Sequence, residues 1–206
     1  MAQKKESIND NHINILNNRK FSKTQLLAFS GLMAAVICIA TAFIKFPTPI
    51  GYIHIGDGFI FLATALFGYY GIAAAAIGSA LADILSGYFI YAPATFFIKA
   101  FMGFIAVAYI NNKYKFGRCL IAYILAEIIM VMGYFVYELV IYGYEAAAAA
   151  MLFNDVQGIF GVVIGLVTVL TVKHKFSSEA KSIAKENKER IEKKNQKTEK
   201  DLIDNK

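Results

Sequence analysis

The sequence predicts an all-α integral membrane protein, a bundle of six transmembrane helices with both termini on the cytoplasmic side. Composition is the first reason: of 206 residues, 57% are hydrophobic and 17% charged, with a mean hydropathy of +0.50, outside the soluble range. Segregation of charge is the second. Only eleven Asp, Glu, Lys or Arg lie between Thr24 and Val172, whereas the chain from Lys173 onward holds eleven Lys or Arg and seven Asp or Glu. The third is a set of apolar runs at about 24–44, 57–87, 93–110, 119–142 and 149–172, against the ~20 residues that a bilayer crossing needs.

Three regions follow: a cytoplasmic segment over 1–23, a six-helix transmembrane domain over 24–172, and a charged cytoplasmic tail over 173–206. The net charge of +6 sits mostly in flanks and loops, which points to anionic lipid and away from nucleic acid. The first run lacks a small-residue cleavage site and is followed by further spans, so it reads as a retained first helix. The second run is either one tilted helix or two short ones broken at Gly68-Tyr-Tyr-Gly71. Charge decides between these. Arg19, Lys20 and Lys23 precede the first span, and Lys113, Lys115 and Arg118 follow the run ending near residue 110. Both clusters belong on the cytoplasmic side, so an even number of crossings separates them, and the long run must be split. The tail, with stretches such as KENKERIEKKNQK, is either disordered or a solvated helix. Cys38 and Cys119 fall in or beside apolar runs without metal-like spacing and read as membrane-buried thiols.

With that topology the intramembrane polar residues gather in the outer half. Asp83 lies about one turn below the outer end of the third helix, and Lys99 less than two turns into the fourth. Glu127, Tyr134 and Glu138 on the fifth helix are spaced by seven and four residues, which places them within roughly 40° of one another at ~100° per residue. Asn154, Asp155 and Gln157 occupy the first turns of the sixth, and His54 and Asp57 sit in or beside the first outer loop. A charge at mid-bilayer costs ~2.5–3.5 kcal/mol on insertion scales, so such residues face a cavity or a partner. A water-filled pocket open to the outside explains the stripe on the fifth helix.

Blander roles compete for each. Asp83 and Lys99 either pair with one another or touch ligand. Glu138 and Asp155 suit headgroup contacts, Asn154 and Gln157 suit interhelical hydrogen bonds, and His54 suits a structural loop role. Tyr88, Tyr91, Tyr142 and Tyr144 read as interface-belt aromatics. Glu127 is deepest, has no basic residue near it in sequence, and is the likeliest ligand anchor on this reading. Small residues form ridges for close helix approach: Ser30, Gly31, Ala34 and Ala35 on the first helix, Ala74, Ala75, Gly78, Ser79 and Ala82 on the third, and Gly158, Gly161 and Gly165 on the sixth. The third and sixth ridges suit packing within the monomer, and the first suits such packing or a partner equally.

No phosphate loop, HExxH, paired CxxC or GxSxG occurs, so no ATP hydrolysis, catalysis, cofactor or metal site is expected. Nor is there a clear inverted repeat of the kind self-sufficient secondary transporters carry. The stretches IHIGD, GSALADILSGY and YAPATFFIKAFMG, with GYFVYE and NDVQGIFG downstream, resemble the substrate-binding S components of energy-coupling factor (ECF) transporters. The resemblance covers about 24–172 and is to the branch linked to vitamin precursors such as hydroxymethylpyrimidine or pyridoxine. It implies a membrane subunit that binds a vitamin or precursor in its outer half and works with a transmembrane coupling protein and two ATPase subunits. It further implies a substrate set of His54, Lys99, Glu127, Tyr134, Glu138, Asn154 and Gln157, to which the reading of the polar residues adds Asp83, and a coupling-protein contact at Ser30, Gly31, Ala34 and Ala35.

Two other functions stay open on sequence alone. One is a proton- or cation-coupled secondary transporter of a small polar solute, with Glu127 and Glu138 as carriers. The other is a membrane enzyme or scaffold using His54, Asp83 and Glu127, which the absence of any nucleophile or metal motif disfavours.

Overall fold

The computed structural model describes residues 22–49, 51–110 and 115–204. Arg19, Lys20 and Lys113, on which the charge argument partly rests, lie outside the described residues. Helix α1 (Lys23–Phe43) opens on a capping box, in which Ser22 and Gln25 each bond the other's backbone N–H. A small antiparallel hairpin follows, β1 (Lys45–Pro47) and β2 (Tyr52–His54), with Lys45 opposite His54 and Pro47 opposite Tyr52. The first outer loop thus folds as a short strand pair within an otherwise helical chain. The turn is closed by Thr48, whose N–H donates to Gly51 O while its hydroxyl accepts from Gly51 N–H.

The long apolar run is broken at Gly68, whose φ of 56° lies in the left-handed region where a side chain would be strained. It yields α2 (Gly56–Phe67) and α3 (Tyr69–Leu85). The bend is tight enough that a Cβ at Gly71 would strike the backbone of Ala63 and Thr64. Then come α4 (Ala92–Ile110), α5 (Phe116–Tyr142) and α6 (Tyr144–Asp204). Helices α1, α4, α5 and the Tyr144–Lys175 part of α6 are long and apolar enough to cross a membrane. α2 and α3 are apolar but shorter.

The chain divides into two compact units, Met1–Leu170 and Thr171–Lys206. The second is helical through Asp204. In the first, α3 packs against α1, α2 and α4, and α5 against α4. Small residues make the α1–α3 contact: Ala74, Ala75, Gly78, Ser79 and Ala82 are buried, and a Cβ at Gly78 would meet the Ala34 carbonyl. Larger side chains fill the middle, where the Phe61 and Tyr123 rings stack at 4.0 Å. Outward faces carry Leu32, Phe97, Phe101, Val140 and Ile159, the arrangement expected of helices solvated by lipid.

Candidate functional site

The hairpin end of the first unit carries a small pocket open to the surface. Thr48, Gly51, Tyr52 and His54 come from the hairpin, Asp83 from the last turn of α3, and Tyr88 and Tyr91 from the loop leading to α4. Thr95, Tyr134, Glu138, Asn154 and Gln157 enter from α4, α5 and α6. Of the eight residues expected at a substrate site, the structure gathers His54, Asp83, Tyr134, Glu138, Asn154 and Gln157 around this space.

Hydrogen bonds hold the walls. The Tyr52 hydroxyl donates to Asp83 Oδ1 at 2.6 Å, and Tyr91 donates to Glu138 Oε1 at 3.3 Å. Thr95 Oγ1 and the Tyr134 hydroxyl are bonded at 2.9 Å. Burial and the neighbouring Asp83 charge raise the Tyr52 hydroxyl above its ordinary pKa, so it remains a donor. His54 is buried, and burial together with Lys99 and Lys45 lowers its pKa to about 4 against the opposing pull of Asp57. The neutral ring accepts from the Gly56 N–H through Nδ1 at 3.1 Å, which leaves its proton on Nε2.

Lys99 lies one helical turn further along α4 than Thr95, with its ammonium 5.6 Å from the Tyr134 ring centroid. It does not pair with Asp83. Its partner is Asp57, Nζ to Oδ1 at 2.5 Å, with both side chains fully buried. The other Asp57 oxygen accepts from Gln157 Nε2 at 2.8 Å, and Gln157 Oε1 accepts from the His54 N–H at 3.2 Å. One amide thus ties the hairpin to the buried ion pair. Asp83 is taken instead by Tyr52, which removes the expected Asp83–Lys99 alternative.

Glu127 does not line the pocket. Its carboxyl lies in a notch of α6, where a Cβ at Gly161 would collide with Glu127 Oε1 and with Asp57 Cβ. It is buried, and neither oxygen has a hydrogen-bond partner. Glu127 borders a separate, mostly apolar crevice between α5 and α6, lined by Ile128, Val131, Met151 and Val162 with Asp155 at its edge. The ridge on α1 is also divided: Ser30 and Ala34 are buried, while Gly31 and Ala35 are exposed, and nothing comes within 4 Å of a Cβ placed at Gly31.

The sequence reading placed Asp57 at the first outer loop without pairing it to Lys99, passed over Tyr52 and Thr95, and assigned Tyr88 and Tyr91 to the membrane interface. Asp57 was within reach, since Lys99 is the lone base in its apolar run and needs an acidic partner. Nothing in the sequence marks Tyr52 or Thr95, whose roles depend on the hairpin and on helix rotation. Among the described residues no group of three or more His, Cys, Asp or Glu is placed to hold a metal.

Comparison with known proteins adds three findings. Residues 21–174 match the family model described as "ECF-type riboflavin transporter, S component". An uncharacterised protein from the gap 3′ region of Pyrococcus woesei is 37% identical over 133 residues, 63% of this chain and 88% of its own length. A solved structure described as that of the S component of a bacterial ECF transporter covers 80% of this chain and 98% of its own at 20% identity, with a TM-score of 0.48.

Proposed function

From the premise that the chain belongs to the S components of ECF-type transporters, substrate-binding subunits and not enzymes, we propose that it captures a small ring-containing vitamin or vitamin precursor. The ligand enters the hairpin-end pocket from outside. The observation that carries this reading is the convergence of polar and aromatic side chains from the hairpin and all four of α3, α4, α5 and α6 on one cavity. Lys23, Lys115 and Arg118 belong to the opposite ends of α1 and α5, so the positive-inside rule turns the pocket outward. Six crossings with both termini cytoplasmic complete the topology. Power comes from partners, a transmembrane coupling protein and two ATPases, and Gly31 and Ala35 offer the exposed small-residue face that a partner helix would approach.

Riboflavin, named in the description of the matching family, is the first ligand to test. Hydroxymethylpyrimidine and pyridoxine, from the branch that the sequence resembles, come next. Mass spectrometry of small molecules released from the purified protein tests the reading directly. A ring-containing vitamin recovered stoichiometrically supports it. Recovery of lipid alone, with none of these compounds binding on addition, contradicts it.

A further inference from the structure

The pocket holds more carboxyl oxygens than its own wall satisfies. Asp83 and Glu138 are both more than nine-tenths buried, with relative exposures of 6% and 4%. Each uses one oxygen on a tyrosine hydroxyl, and Asp83 Oδ2 and Glu138 Oε2 find no hydrogen-bond partner among the described residues. Among the described residues no lysine or arginine lines the pocket. Lys99 is committed to Asp57. Lys45 sits with its ammonium 4.7 Å from the Tyr52 ring centroid and is not part of the lining.

Beside these carboxyl groups runs a chain of tyrosine faces. Tyr52 and Tyr88 lie 5.0 Å apart between ring centroids, Tyr88 and Tyr91 6.2 Å, and Tyr91 and Tyr134 6.4 Å. Buried carboxyl oxygens require donors, and a positively charged donor satisfies them most strongly. Aromatic faces bind the same charge through the ring quadrupole, more so when water is excluded. A single amide, Asn154 Nδ2, is likewise unpartnered and supplies one donor to the occupant.

We propose that the ligand is a cation: a ring bearing a quaternary or protonated nitrogen, with its charge between Asp83 and Glu138 and its ring against the tyrosines. Asn154 donates to an acceptor elsewhere on it. This rests on the capture reading and narrows it to one class of substrate, which neutral riboflavin does not meet.

The test uses two probes of nearly one shape and different charge, the 1-methylnicotinamide cation and neutral nicotinamide, with riboflavin alongside. Binding is followed by ligand-observed NMR and by the intrinsic tyrosine fluorescence of a chain that contains no Trp. The cation should bind at least about tenfold more tightly than nicotinamide, the combined effect of charge-assisted bonds and aromatic contact. Asp83→Asn/Glu138→Gln should bring the two to parity. Should that variant fail to give a folded melting transition, Glu138→Gln alone reads the same loss, since its amide oxygen can still accept from Tyr91. Equal binding of the two probes by the wild type, or a preference that survives the substitutions, overturns the charge assignment. So does riboflavin binding in preference to the cation, which would leave capture itself standing. Failure of every ring compound to bind overturns both.

Discussion

Lys99 Nζ lies 2.5 Å from Asp57 Oδ1, and neither side chain exposes any surface. The pair joins α4 to the start of α2, and Gln157 extends it to α6 and to the β2 backbone. It therefore holds together the elements that form the pocket's walls, without itself lining the space.

Removing one member strands a buried charge, which costs ~3–5 kcal/mol. Lys99→Met should lower thermal stability in detergent by that amount, and Asp57→Asn/Lys99→Met should recover most of it. A single variant as stable as wild type would mean that the pair is not formed in the membrane.

The α1 ridge separates packing from partnership. Ala34 faces α3, with the Gly78 notch against its carbonyl, so Ala34→Leu should cost ~1–3 kcal/mol by overpacking. Nothing surrounds Gly31, so Gly31→Leu should melt near wild type and still bind ligand, yet lose co-purification with the coupling protein. Intact assembly of Gly31→Leu would remove this face from the interface.

His54 makes stability pH-dependent. Its folded-state pKa of about 4 lies below the ordinary 6.5, so the unfolded chain takes up a proton first on acidification. The stabilisation is fully present above pH 6.5 and is lost as the pH falls toward 4, up to roughly 3 kcal/mol at ~1.36 kcal/mol per unit. Melting temperatures from pH 7.5 to 4 should fall more steeply for wild type than for His54→Gln. Parallel curves would contradict the buried neutral ring.

Ligand affinity should follow the pocket lining. Tyr134→Phe breaks the buried bond to Thr95, a loss of ~1–3 kcal/mol in binding or stability. Glu127→Gln lies outside the lining and should leave affinity within about 0.5 kcal/mol of wild type. Calorimetric titration of both variants checks this. A large loss for Glu127→Gln would restore it as the anchor that its depth suggested.

Hydropathy and charge made the helices legible, including the break at Gly68, because lipid imposes a length and a sign on each span. Helix rotation was less legible. Glu127, Tyr134 and Glu138 share a face to within roughly 40° by the helical period, yet α6 meets that face at Gly158 and Gly161 and takes Glu127 into its notch. The Lys99 partner was equally hidden: the sequence offered Asp83, which the hairpin instead places against Tyr52. Tertiary contacts of this kind leave no periodic trace.

The central claim is that this chain captures ligand and leaves the energy to its partners. Uptake of labelled ligand into proteoliposomes tests it most directly, with the chain alone and with its coupling protein, ATPases and ATP. The lone chain should bind without accumulating ligand, even under a proton gradient, and the full assembly should accumulate it with ATP. Sustained accumulation by the lone chain in energised liposomes would contradict it and would favour a secondary transporter.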